Sequence, residues 1–337
     1  MSSLKRLLLP KRILFVFWVT LIIFLFVIPQ FSGKYTIYMV MSILIFSLLC
    51  LSVNLLLGYT GLLSFGQAGF YACGAYGCGK ILLVFPQLLA GIIGGVIIAG
   101  VVALILGYFC VRHTTIYFAM ITLAFGMMVW ALAMKLREMT GGEDGLGGIP
   151  RAILFIHSLN MEPMENYYYF VLIISLTAMF LFHRLVNSPL GLTFRGIRDS
   201  ESRVACTGIS IRNTRLLCFT IAGMYAGLAG ALMAPLETRV TPVCAHWAAS
   251  AEPVAATIIG GMYTFGGPLA GAAIFFLLKD IIVRFTEYWS LILGVIVIIL
   301  VLTLRAQGLA GVLQQGLFSR FRLNFEGNRN ERSDIKQ

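Results

Sequence analysis

One stretch of this sequence sets guanidinium and carboxylate groups at helical spacing. It runs Asn187-Ser-Pro-Leu-Gly-Leu-Thr-Phe-Arg-Gly-Ile-Arg-Asp-Ser-Glu-Ser-Arg-Val-Ala-Cys-Thr-Gly-Ile209. Residues 192–206 suit a short amphipathic helix lying parallel to a membrane, with Gly208 as its stop. Arg195, Arg198, Asp199 and Ser202 fall on one face of that helix, and Phe194, Ile197 and Val204 elsewhere. Two chemistries suit such a helix. Its arginines can bind anionic lipid, or its charged face can dock a protein partner.

The other groups that could do chemistry lack the spacing it needs. Gly74-Ala-Tyr-Gly-Cys-Gly79-Lys80 fits a phosphate loop, but Ile81 follows where Ser or Thr must hold magnesium. No nucleotide site and no bound cofactor are therefore expected of this chain. Gly58-Tyr59-Thr60-Gly61 lacks the residue order of a potassium filter and reads as a glycine turn between two spans. The histidines at 113, 157, 183 and 246 form no HExxH, and no GxSxG occurs, so no catalytic constellation is visible. The seven cysteines form no CxxC pair and read as small apolar residues, with no metal spacing. Glu252 and Asp280 lie near expected span ends. Intramembrane carboxylates are otherwise scarce, which argues against a self-powered pump.

These residues must be positioned by membrane helices. Of the 337 residues 59% are apolar and 12% charged, and the mean hydropathy is +0.91. Soluble domains carry about 25% charged residues. The composition excludes a soluble enzyme, a disordered chain and a nucleic-acid-binding module. Apolar segments lie near 13–29, 36–57, 65–85, 88–111, 114–134, 166–183, 215–236, 252–263, 268–285 and 288–305. Since about 20 apolar residues cross a bilayer, the expectation is an all-α, polytopic transmembrane bundle of about ten spans. The third and eighth are interrupted by glycine and are candidates for short or re-entrant segments. The first is expected to be an uncleaved helix. Gly91/Gly95, Gly223/Gly227 and Gly267/Gly271 make GxxxG pairs suited to close helix packing.

The net charge of +11 fixes an orientation. Residues 1–12 hold four Lys and Arg, 184–215 hold six Arg, and 305–337 hold six more basic residues, sixteen of the 25 in all. The loop 136–165 carries Glu138, Glu143, Asp144, Glu162 and Glu165 against Arg137 and Arg151. Basic loops stay cytoplasmic, so both termini are expected inside. The parts are a basic N-terminus (1–12), a membrane domain (13–310, with a loop at 187–212) and a basic tail (311–337).

Several ordered motifs carry a family resemblance. Arg195, Ile197, Arg198, Glu201, Ala205, Gly208 and Ile209 resemble RAIRxNExxAxxxGI, departing at Gly196 and Ser200, which weaken the helix. Asn54-Leu-Leu-Leu-Gly58-Tyr-Thr-Gly61-Leu-Leu-Ser64-Phe-Gly66-Gln67-Ala68 resembles NLLxGYTGLLSLGHA, with Gln67 for His. Thr122-Leu-Ala-Phe and Thr140-Gly-Gly-Glu-Asp-Gly145-Leu resemble TLAF and TGGxxGL. Residues 260–271 resemble GGxGTxxGPxxGA with Tyr263 for Gly, and Arg305-Ala-Gln-Gly308-Leu resembles RPxGL with Ala306 for Pro. The pattern, over about residues 35–315, is similar to permeases of branched-chain amino acid ABC importers, the LivM type.

That resemblance implies an ABC importer permease fold in a bacterial inner membrane. It implies a second, LivH-like permease, two cytoplasmic ATP-binding subunits that use ATP and magnesium, and a periplasmic binding protein. Arg195, Arg198, Asp199, Glu201, Ala205 and Gly208 would couple to an ATP-binding subunit. Asn54, Thr60, Ser64, Gln67, Tyr263 and Thr264, at the glycine-rich breaks, would border the pathway. Glu143 and Asp144 would meet the binding protein. Urea and short-chain amide importers use similar permeases, and a self-contained secondary transporter or channel is the other class left open.

Overall fold

The computed structural model describes residues 24–31, 33–151, 161–286 and 288–304. The basic segment 1–12, most of the first apolar segment and the tail 311–337 lie outside the described residues. Residues 24–31 are helical. Helices α1 (Lys34–Asn54), α2 (Gln67–Val84), α3 (Leu88–Cys110) and α4 (Thr115–Lys135) follow, then a one-turn α5 (Arg137–Thr140). After the loop come α6 (Met164–Val186), α7 (Pro189–Asp199), α8 (Glu201–Ala205) and α9 (Ile211–Glu237). The order ends with α10 (Trp247–Gly260), α11 (Gly266–Phe285) and α12 (Trp289–Leu304). Two-residue strands, β1 (Leu146–Gly147) and β2 (Arg239–Val240), pair antiparallel.

The chain is an all-α polytopic bundle. Six described helices are long and apolar enough to cross a membrane: Lys34–Thr60, Leu88–Cys110, Thr115–Lys135, Met164–Val186, Ile211–Glu237 and Gly266–Phe285. The expected segments at 65–85, 252–263 and 288–305 are also helical, as α2, α10 and α12. Helix α2 is diluted by polar residues such as Gln67 and Lys80, and α10 spans only 14 residues.

Close backbone approach holds the centre together. Helices α2, α3 and α9 pack on one another, and α1 lies against α9. A Cβ on Gly74 would overlap the Gly227 backbone, and one on Gly227 would overlap Ala99 Cβ. Lipid offers no hydrophobic drive between helices, so small residues gain association through contact area instead. Around this seam lie buried aromatics, among them Tyr167, Phe118 and Phe219. Their polar ends are used: Tyr167 donates to Leu232 O at 2.5 Å and Tyr225 to Ala178 O at 3.0 Å, joining α6 to α9. Outward faces are apolar, as with Ile97, Val101 and Ile105 on α3.

The loops sort to two ends. At one end Arg112 and Arg212 both stack on Tyr108, 5.0 and 4.6 Å from its ring centre. Basic side chains around an aromatic suit a membrane interface. At the other end Arg151 donates to Pro235 O and Leu236 O at 3.2 and 3.1 Å. Those carbonyls close α9, where helix partners run out. Arg239 reaches Asp144 O beside the β1–β2 pair.

Candidate functional site

Helix α7 begins at Pro189, three residues before the expected start at 192. Ser188 caps it by accepting from Gly191 N at 3.5 Å, and Pro189 occupies the first turn. The expected single helix over 192–206 is instead two. Ser200 is extended (φ −168°, ψ 108°) and separates α7 from α8. Gly208 takes a left-handed conformation (φ 79°), as a helix stop requires.

Packing turns Arg195, Arg198 and Arg215 inward, while Arg203 stays exposed. Phe194 and Ile197 are buried and seat α7 on α6 and on a π turn, Leu55–Thr60, that ends α1. Arg195 donates to Val186 O at 2.7 Å and lies over the Tyr59 ring at 5.9 Å. Arg198 donates to Gly58 O at 2.6 Å, stacks on Tyr263 at 5.1 Å, and is held by Asp199 at 3.1 Å. Arg215, buried in the first turns of α9, pairs with Glu201. Of the expected coupling residues, Asp199, Glu201, Ala205 and Gly208 face outward, with exposed Arg203, Leu190, Leu192 and Ile209 beside them.

This arrangement brings the loop to both glycine-rich breaks. A Cβ on Gly58 would overlap Met262 O and Asn54 Oδ1, so the backbones of the two breaks touch there. Gly61 is left-handed (φ 74°), and the Arg198 Cγ would lie 3.0 Å from a Cβ on it. A larger residue would meet both the conformational and the steric barrier.

The expected pathway residues surround that contact unequally. Asn54 is fully buried, and neither its Oδ1 nor its Nδ2 has a hydrogen-bond partner. Gln67 is fully buried too; its Oε1 accepts from Ser52 at 3.3 Å while its Nε2 has no partner. An unsatisfied buried polar group costs about 1–3 kcal/mol, so such groups call for a ligand, water or mechanism. Buried Ser64 accepts from Gly66 N, and Thr60 donates to Leu56 O, both local bonds. Thr264 accepts from Gly267 N at 3.1 Å and starts α11. Tyr263 is half exposed. Ser250, absent from the sequence reading, accepts from Ala68 N at 3.0 Å and ties α10 to the start of α2.

At the opposite end, Glu143 and Asp144 are exposed on a tight turn between α5 and β1. Glu252 on α10 makes an ion pair with Lys279 on α11 at 2.7 Å, an arrangement the sequence spacing did not reveal.

The pattern of the family described as branched-chain amino acid transport system, permease component, matches residues 35–302. The high-affinity branched-chain amino acid transport system permease protein LivM of Escherichia coli is 29% identical over 318 residues, covering 87% of this chain and 74% of that protein. The probable branched-chain amino acid transport permease protein LivM of Methanocaldococcus jannaschii is 26% identical, covering 56% and 64%. The probable LivH permease of the same organism is 25% identical over 151 residues, covering 42% and 47%. No solved structure matches the chain.

Proposed function

The chain belongs to the family of branched-chain amino acid transport system permease components, and from that premise we propose that it is the LivM-type subunit of an ATP-binding-cassette importer for branched-chain amino acids. It crosses a bacterial inner membrane about ten times, with both termini cytoplasmic. A LivH-like permease stands beside it, two ATP-binding subunits dock below, and a periplasmic binding protein docks above at Glu143 and Asp144. ATP and magnesium belong to the docked subunits, and this chain holds no cofactor.

The observation that carries the reading is the contact of the α7 loop with both glycine-rich breaks through Arg198. Closure of the ATP-binding pair moves the outward surface of that loop, at Asp199, Glu201, Ala205 and Gly208. The inward arginines, Arg195 and Arg198, pass the movement to the membrane helices as a rigid-body change. Asn54, Thr60, Ser64, Gln67, Tyr263 and Thr264 border the pathway, where the amides of Asn54 and Gln67 offer neutral donors and acceptors to a zwitterion. Purification tests the assembly directly. An affinity-tagged chain should bring down ATP-binding subunits and a second permease; recovery of an active transporter made of this chain alone would overturn the reading in favour of a secondary transporter or channel.

A further inference from the structure

Three segments far apart in sequence meet at one side chain. Arg198 bonds to Gly58 O of the π turn at 2.6 Å and stacks on Tyr263 of the α10–α11 turn at 5.1 Å, while Asp199 on its own helix fixes its guanidinium. Next to Tyr263, the Met262 carbonyl presses on Gly58. Directly behind Gly58 lies Asn54, buried with its whole amide unpartnered. The bonded carbonyl belongs to a π turn, where backbone groups depart from regular helix partnering.

We propose that Arg198 is the clasp that closes the cytoplasmic end of the pathway over Asn54. With the clasp made, Gly58 and Met262 shut against each other and the Asn54 amide has no solvent. Withdrawal of α7 takes the guanidinium from Gly58 O and Tyr263 together. The two breaks then part, and Asn54 becomes accessible to water and to the polar head of a solute. The guanidinium suits this task because one planar group makes a charged hydrogen bond and a ring stack at once, which a lysine ammonium cannot reproduce. This assigns Arg198 a positioning role inside the membrane domain rather than a contact with the ATP-binding subunit. The inference rests on the importer reading, but its test needs no solute.

The test is the reactivity of Asn54→Cys toward a small methanethiosulfonate reagent. It is measured in membranes containing the full complex, with Cys206→Ser to remove the exposed native thiol. The site should react slowly when Arg198 is present. With Arg198→Ala it should react faster by about tenfold or more, since a hydrogen bond from a charged donor is worth at least that factor. Arg198→Lys should fall between. Tyr263→Ala should raise the rate severalfold, whereas Tyr263→Phe, which keeps the ring, should not. Two results would overturn the clasp. One is unchanged protection of the cysteine in both Arg198→Ala and Tyr263→Ala. The other is loss of the ATP-binding subunits from Arg198→Ala complexes, which would make Arg198 a docking residue.

Discussion

Arg198 donates a 2.6 Å hydrogen bond to the carbonyl of Gly58, a residue 140 positions earlier in the chain. That bond joins the charged loop to the end of the first described span. It packs the loop against the membrane helices as part of one domain.

The contact behind that bond depends on the absence of a side chain at Gly58. Gly58→Ala would push a methyl into Met262 O and Asn54 Oδ1. Overpacking of this kind costs about 1–3 kcal/mol. The purified chain should melt at a lower temperature, while Gly33→Ala, with open space around it, should leave the melting temperature unchanged.

The outward loop surface should behave differently from the inward one. Ala205 is exposed at the end of α8. Ala205→Trp is expected to remove ATP-binding subunits from the purified complex without lowering the thermal stability of the chain itself. Full retention of those subunits would move the docking surface elsewhere.

Cysteine labelling checks the orientation. Cys206 is exposed on the α7–α9 loop, and Cys244 lies at the other end of α9, partly buried. Burial pushes the Cys244 thiol up to about 12, with the nearby Glu237 carboxylate adding to the effect. It therefore stays protonated and unreactive at pH 8, since the thiolate appears only as pH approaches the raised value. A membrane-impermeant maleimide should label inverted vesicles at Cys206 and leave right-side-out vesicles unlabelled. The reverse pattern would invert the topology.

The Glu252–Lys279 pair predicts a non-additive result. Lys279→Met leaves the half-buried Glu252 carboxylate on α10 without this partner, and removing one side of such a pair is the costlier change. Replacing both, as Glu252→Leu with Lys279→Met, removes the charge as well as the pair and should be milder. The amount of folded chain in membranes, measured for each single variant and the double, reads the difference.

Much of the architecture was legible before any coordinates. Long apolar runs over α1, α3, α4, α6, α9 and α11 are the signal of spanning helices, whereas the cap at Ser188-Pro189, which starts α7 before residue 192, went unread. The break at Ser200 was half visible, since Ser200 is a weak helix residue, yet periodicity alone ran the helix through it. The inward turn of Arg195 and Arg198 was not visible. Helical spacing gives relative faces but not which face packs, and that is decided here by the buried Phe194 and Ile197. The partners Gly58, Tyr263 and Arg215 lie too far along the chain for local pattern to name them. Asn54 and Gln67 were found by motif, but their unsatisfied amides are a property of packing.

The central claim is settled most directly by uptake of radiolabelled leucine into proteoliposomes that hold this chain with its second permease and ATP-binding subunits, in the presence of the binding protein. ATP-dependent accumulation of leucine, with urea left outside, is the predicted result. Accumulation of urea but not leucine under the same conditions would contradict it.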